Sequence, residues 1–82
     1  MPKLKPLSGK EVVDFCMQYG FTTGKQKGSH MNLIRNSSQE THIVTVPNHK
    51  EIDRGTLYNI FKHLKPYIPE EELRKFFYTG DN

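Results

Sequence analysis

The chain contains no tryptophan and no alanine, and its only cysteine is Cys16. A single thiol cannot form an internal disulfide, and without a second cysteine there is no redox pair or zinc knuckle. No apolar run approaches the roughly 18 residues that cross a membrane, and the basic N-terminal residues are not followed by the apolar stretch of a secretory signal. We therefore expect a soluble, cytoplasmic protein with no membrane association.

Apolar residues are also scarce. The chain has 82 residues, of which 34% are hydrophobic, so we expect one domain over residues 1–82 with a small core. Leucine, isoleucine, valine and phenylalanine are still frequent enough to exclude a disordered chain. A core of this size leaves no room for a deep pocket.

Charge is distributed unevenly along the chain. Residues 1–66 contain ten Lys/Arg and five Asp/Glu, whereas residues 67–82 contain two and four. The basic part favours a polyanionic partner, although an excess of this size is common in small domains.

Two segments have the periodicity of helices with one buried face. Ser8 and Glu11 have the spacing of a capping box, and Gly20 occupies a typical left-handed C-terminal position, so a helix is predicted over residues 9–19. Asp53 is the expected N-cap of a second helix that ends near Leu64. The apolar positions of the two helices are Val12, Phe15, Cys16 and Tyr19, and then Leu57, Ile60, Phe61 and Leu64.

Three β-type runs lie between the helices. They cover residues 21–26, 30–36 and 42–46. Short polar turns separate the runs and Pro47 ends the third, which predicts an antiparallel meander. Gly24 interrupts the first strand, where we expect a bulge or weak pairing.

Beyond Pro66, a third short helix is predicted. Pro69 suits its first turn, and the acidic residues that follow favour the positive end of a helix. Leu73, Phe76 and Phe77 form its apolar face, which we expect to dock on the domain or on a partner. The predicted fold is α+β, with a three-stranded meander, two helices on one face and a short extra C-terminal helix.

The second strand contains the main candidate for chemistry, His30. If Met31 and Leu33 face the helices, the period of two turns His30 to solvent, beside Lys25 and Lys27. A histidine that titrates near neutral pH beside two lysines can act as a ribonuclease base, removing a proton from a 2′-hydroxyl. Spacing alone favours a solvated histidine next to a turn.

The other candidate residues have weaker signals. His49 and Lys50 precede the second helix, whose free amides could attract phosphate, but a simple loop is equally consistent. Ser29 could be a nucleophile, yet no acidic residue lies near His30 in sequence, which favours a role in the turn. Three histidines lack the close spacing of metal ligands and are predicted to be surface imidazoles, namely His42, His49 and His63.

Two runs carry a family resemblance, QKGSHMNLI (residues 26–34) and VTVPNHKEIDRGTLYNIFKHL (residues 44–64). Together they resemble the HicA family of mRNA interferase toxins, known for a G-S-H turn, a V-P-x-H segment and a G-T-L helix start. The resemblance spans about residues 8–64 and implies the α-β-β-β-α fold of double-stranded-RNA-binding domains. It also implies that His30 matches the catalytic histidine and that Gly28 and Ser29 match its turn.

The expected function is therefore that of a metal-independent ribonuclease toxin that cleaves mRNA, with His30 as general base and no cofactor. The resemblance implies a HicB-type antitoxin that binds over the active site. A non-catalytic RNA-binding module of the same fold is the alternative. The acidic extension over residues 67–82, which follows the HicA-like body at 8–66, has no counterpart in the family pattern. The expected RNA contacts are Lys25, Lys27, Gly28, Ser29, His49 and Lys50.

Overall fold

The computed structural model describes residues 2–80. Its elements, in chain order, are α1 (Gly9–Met17), β1 (Thr22–Thr23), β2 (His30–Asn36), β3 (Thr41–Pro47), α2 (Arg54–Leu64) and α3 (Glu70–Phe77). The strands form one antiparallel sheet in the order β1-β2-β3. The predicted α+β class and the α-β-β-β-α order are confirmed.

Helix α1 begins with the predicted capping box. The Ser8 hydroxyl accepts a hydrogen bond from the Glu11 amide at 3.0 Å, and the Glu11 carboxylate accepts one from the Ser8 amide at 2.8 Å. The helix ends two residues before the predicted end, because the Tyr19 amide bonds to a carbonyl three residues back rather than four. Gly20 then adopts a φ of +90°, the left-handed conformation expected there.

Strand β1 is shorter than the predicted range of 21–26. Regular pairing ends at Thr23, which lies opposite Leu33, and nearer the turn Lys27 pairs with His30. Between these two pairs, residues 24–26 lie opposite residues 31–32 of β2. One extra residue on one strand is a β-bulge, and here it lies between Gly24 and Lys27. The Gly24 amide still donates to the Asn32 carbonyl at 2.8 Å, so the expected bulge is confirmed just beyond Gly24, where regular pairing stops.

One face of the sheet supports the core. Leu33 of β2 and its cross-strand partner Val44 are both buried beneath α1 and α2. Met31 on the same face is partly buried against this core, as its position in the alternation predicts. The opposite face of the sheet is open, and Ile43 is 60% exposed there.

Helix α3 packs on the domain. Leu73 and Phe77 are 0% exposed, and the Phe77 ring meets the Phe61 ring edge-on at 5.5 Å between centroids. The Phe76 ring stacks on Phe15 at 4.0 Å. The apolar face of α3 therefore docks on both α1 and α2, which decides between the two alternatives left by the sequence.

The residues after α3 also pair with the start of the chain. The Lys5 amide donates to the Phe77 carbonyl at 2.8 Å, and the Thr79 amide donates to the Lys3 carbonyl at 2.7 Å. The extension thus joins the rest of the fold through backbone hydrogen bonds as well as through its apolar face. None of the helices within residues 2–80 is long and apolar enough to cross a membrane.

Candidate active site

The turn before β2 holds His30 through its backbone. The peptide groups of Lys27 and His30 exchange two hydrogen bonds of 3.0 Å around the two-residue turn formed by Gly28 and Ser29. Gly28 has a φ of +58°, which is typical of the first central residue of a type II′ hairpin turn. The Gln26 side-chain amide also donates to the Gly28 carbonyl at 2.9 Å. His30 is therefore fixed as the first residue of β2.

The His30 imidazole is open to solvent. It lies on the sheet face opposite the buried Leu33, as the alternation of β2 predicts. Lys25 and Lys27 are exposed next to it in the chain, and no hydrogen bond or ion pair engages the His30 side chain within residues 2–80. The hairpin thus carries an exposed imidazole whose cross-strand neighbour is Lys27.

The loop after β3 is attached to this turn. The Asn48 amide donates a hydrogen bond to the Ser29 carbonyl, and the His49 carbonyl accepts one from the Gly9 amide at 3.0 Å. A Cβ at Gly9 would lie 2.2 Å from the Pro47 carbonyl oxygen, so this close approach requires glycine. The G-S-H turn, the V-P-x-H loop and the start of α1 thus meet at one end of the molecule.

This arrangement brings His49 and Lys50 to the same end as His30, and both side chains are exposed. The start of α2 is already capped, because the Asp53 carboxylate accepts a hydrogen bond from the Thr56 amide at 3.0 Å. That bond lowers the pKa of Asp53, and the nearby His49 contributes a smaller effect in the same direction. The expected phosphate contact therefore depends on the His49 and Lys50 side chains rather than on the Thr56 amide.

Cys16 and Ser29 both have roles in the fold. Cys16 is fully buried, and burial raises the pKa of its thiol to about 12, so it is a core residue. Ser29 is exposed and its carbonyl anchors Asn48, in agreement with a role in the turn. Over residues 2–80, no three or more His, Cys, Asp or Glu side chains gather closely enough to hold a metal ion.

His42 differs from its prediction as a surface imidazole, because its side chain is only 27% exposed. It shares a hydrogen bond with the Tyr67 hydroxyl, and its Nε2 lies 3.9 Å from a Glu40 carboxylate oxygen. The Arg35 guanidinium lies 5.5 Å from the centre of the Tyr67 ring. The signal was in the alternation of β3, which places His42 on the same face as the buried Val44.

These features define a small α-β-β-β-α domain with a solvent-open histidine in a basic hairpin turn. A family model described as the HicA toxin of bacterial toxin-antitoxin matches residues 9–65 of the 82. The chain belongs to this family and is the toxin of a toxin–antitoxin pair, with an antitoxin as its partner. No curated protein and no solved structure matches the chain.

Proposed function

We propose that the protein is a ribonuclease that cleaves mRNA and thereby arrests translation, with His30 as its general base. The observation that carries this proposal is the exposed imidazole of His30, which the backbone of the Lys27–His30 turn holds beside cationic side chains. It occupies the histidine position of the G-S-H turn within the family match.

In the proposed reaction, the neutral imidazole of His30 removes the proton from a ribose 2′-hydroxyl. The resulting oxygen attacks the adjacent phosphorus to form a 2′,3′-cyclic phosphate. The bond from phosphorus to the 5′-oxygen of the next nucleotide breaks, and that oxygen leaves as a hydroxyl after taking up a proton from solvent. A positioned histidine base typically contributes about 10²- to 10⁴-fold to such a rate. The attacking group comes from the RNA itself, so the proposed mechanism uses no metal ion or cofactor.

The RNA backbone is proposed to follow the basic end of the molecule. Lys27 is the cross-strand partner of His30 and Lys25 precedes it by two residues, while His49 and Lys50 lie on the loop that is bonded to Ser29. Cationic side chains on both sides of His30 can hold the phosphates that flank the scissile bond. Gly28 and Ser29 have small side chains, so the RNA backbone can approach the turn closely.

A HicB-type antitoxin is the proposed partner, and it is proposed to bind over the His30 turn. The turn and the loop after β3 are both exposed, so a protein that covers them would exclude RNA from the imidazole. Inhibition would then result from steric blockage and would require no change in the fold of the toxin.

A non-catalytic RNA-binding module is the second candidate. The observation that favours it is that no side chain within residues 2–80 makes a hydrogen bond to the His30 imidazole. Binding alone requires cations and contacts with 2′-hydroxyl groups but no titrating base. The two functions therefore differ in their dependence on His30.

The deciding experiment incubates the purified protein with a defined RNA, with and without EDTA. We expect cleavage to resist EDTA and to fall by about 10²- to 10⁴-fold in His30→Ala, because the base is lost. His63→Ala is the matched control, since it removes another exposed histidine and should cleave normally. Cleavage by His30→Ala at the wild-type rate would refute the catalytic assignment and support the binding module.

RNA affinity should depend on salt through the two lysines of the turn. Each phosphate contact contributes about −0.7 to the slope of log affinity against log salt on single-stranded RNA. Lys25→Ala combined with Lys27→Ala should therefore flatten the slope by about one to two units. The control pair Lys62→Ala and Lys65→Ala should keep the wild-type slope, and an unchanged slope in the first pair would remove those lysines from the site.

A further inference from the structure

Strand β3 is an edge strand, and the hydrogen bonds at its two ends show which of its peptide groups are free. The Ser37 amide bonds to the Glu40 carbonyl, and the Asn48 amide bonds to the Ser29 carbonyl. Both pairs continue the register of β2 and β3. Because hydrogen-bonded and non-bonded pairs alternate along an antiparallel ladder, every second residue of β3 turns its peptide groups away from β2. The residues that point outward are Thr41, Ile43 and Thr45.

The outward peptide groups have no backbone partner in the part of the chain that the structure describes. All three residues are exposed, and Ile43 has the most exposed large hydrophobic side chain of that part. Natural edge strands are usually protected by a lysine, a proline or a bulge. β3 contains no lysine, its one proline is its last residue, Pro47, and its pairing with β2 runs through seven consecutive pairs without a bulge.

A shallow groove of about 380 Å³ runs beside this edge on the helix side of the sheet. Val44 and the backbone of Ile43 from β3, and Lys62 and His63 from α2, are among the residues that line it. An acidic residue, Glu40, precedes β3, and its carboxylate lies 3.9 Å from the His42 Nε2. The groove therefore lies between the unpaired peptide groups of β3 and the Lys62 and His63 side chains of α2.

We propose that the β3 edge binds an extended acidic segment of the antitoxin, which adds a fourth strand to the sheet. This inference rests on the assignment of the protein as a toxin. Side chains of an added strand alternate between the two faces of the sheet. Acidic residues of the segment face Lys62 and His63, and the residues between them are apolar and pack on Ile43.

The charge of the groove favours an acidic partner over a second copy of the chain. Two copies paired through β3 around a twofold axis at Ile43 would place Lys62 and His63 of one copy next to those of the other. An acidic segment instead neutralises the charge of Lys62 and can accept a hydrogen bond from His63. Pro47 is the cross-strand partner of His30. A bound segment that continues past Pro47 would therefore approach the proposed active site.

The test uses a short blocked peptide in which glutamates alternate with valine and threonine, added to the full-length His30→Ala protein. Amide hydrogen exchange should slow at Ile43 and Thr45, because their N–H groups become hydrogen-bonded. Methylating the peptide at every second amide provides a control that leaves the protein unchanged. Binding should be lost when the methylated nitrogens are those that face β3 and kept when they are those that face away from it.

Charge reversal provides the second readout. Lys62→Glu combined with His63→Glu should lower the affinity for the glutamate peptide by roughly tenfold. The same variant should bind a peptide with lysines in place of glutamates more tightly than the parent protein does. Arg54→Glu is the matched control, because it reverses a charge on the same helix about 12 Å away, at roughly 1.5 Å per residue. This control should bind the glutamate peptide like the parent protein.

Several outcomes would overturn the proposal. These are binding without protection of Ile43 and Thr45, equal binding of both peptides, and no binding at all. Protection of the same amides by dimerisation alone, or by an RNA oligomer, would assign the edge to another occupant.

RNA cleavage measured in parallel separates this proposal from the proposed function. The charge-reversed variant with His30 intact should cleave normally, and cleavage by His30→Ala would refute the catalytic role while leaving the edge result valid.

Discussion

The His30 turn and helix α3 are held in place by different forces. Backbone hydrogen bonds position the turn, and its residues from Lys25 to His30 are exposed. Helix α3 is held by buried side chains, of which Leu73 and Phe77 are fully enclosed. The family match covers the turn and ends at residue 65, before α3 begins. The proposed chemistry and a substantial part of the core therefore lie in different segments of the chain.

This comparison implies that stability and activity can be changed separately. Fully burying one large apolar side chain contributes about 1.5–3 kcal/mol, and domains are stable by only about 5–15 kcal/mol in total. The apolar side chains of α3 are thus a large part of the stability of so small a domain. Side chains of the turn contribute little, because they remain in solvent in the folded state.

The largest effect on stability is expected for Phe77→Ala. Phe77 is 0% exposed and its ring contacts Phe61, so truncation should cost about 3–5 kcal/mol. Urea unfolding followed by circular dichroism measures this cost. Phe76→Ala is the matched control, since Phe76 is only partly buried and its truncation should lower the free energy of unfolding by less. Equal costs for the two variants would contradict the central position of Phe77 in the core.

A smaller loss of stability is expected for Gly9→Ala. The new Cβ would lie 2.2 Å from the Pro47 carbonyl oxygen, and relieving that clash should cost about 1–3 kcal/mol. It should also displace the loop attached to the His30 turn and slow RNA cleavage. Gly55→Ala is the control, because the nearest atom to its Cβ is 3.6 Å away and the substitution favours the helix. If both variants have wild-type stability and activity, the close approach at Gly9 is not required.

Almost no change in stability is expected for His30→Ala. The imidazole is exposed and makes no hydrogen bond within residues 2–80, so the cost should stay within about 0.5 kcal/mol. Urea unfolding should superimpose on that of the wild type while cleavage is lost. A loss of more than about 1 kcal/mol would mean that His30 supports the fold and would break the separation between the two regions.

The smallest effect is expected at the cap of α2, and it depends on pH. The hydrogen bond from the Thr56 amide lowers the pKa of Asp53, so this bond stabilises the fold above the unfolded pKa of about 3.9. The contribution is lost as pH falls through the lower folded pKa. Asp53→Asn keeps a capping residue that does not titrate, and its urea midpoint should fall less than that of the wild type in acid. Parallel curves for the two proteins would contradict this role.

Local sequence signals predicted several features correctly. The capping box of Ser8 and Glu11 and the Asp53 cap each depend on residues close together in the chain. The alternation of β2 correctly placed His30 on the face opposite Leu33. Each of these features is set by hydrogen bonds or steric preferences that operate within a few residues, and a sequence displays such preferences directly.

The features that the sequence did not predict involve residues far apart in the chain. The length of β1 depends on the bulge register, and the half-buried position of His42 depends on Tyr67 from the segment after α2. The bond between Asn48 and Ser29, which brings His49 to the His30 turn, likewise depends on how the loop after β3 is positioned.

The sequence by itself determined the order of the elements, the caps of α1 and α2, and the exposed face that carries His30. Only the tertiary structure decided that α3 docks on α1 and α2, that the V-P-x-H loop is attached to the G-S-H turn, and that the peptide groups of β3 remain free. The physical reason is that periodicity and capping act locally. Docking and edge exposure depend on which buried surfaces and hydrogen bonds the whole chain satisfies together.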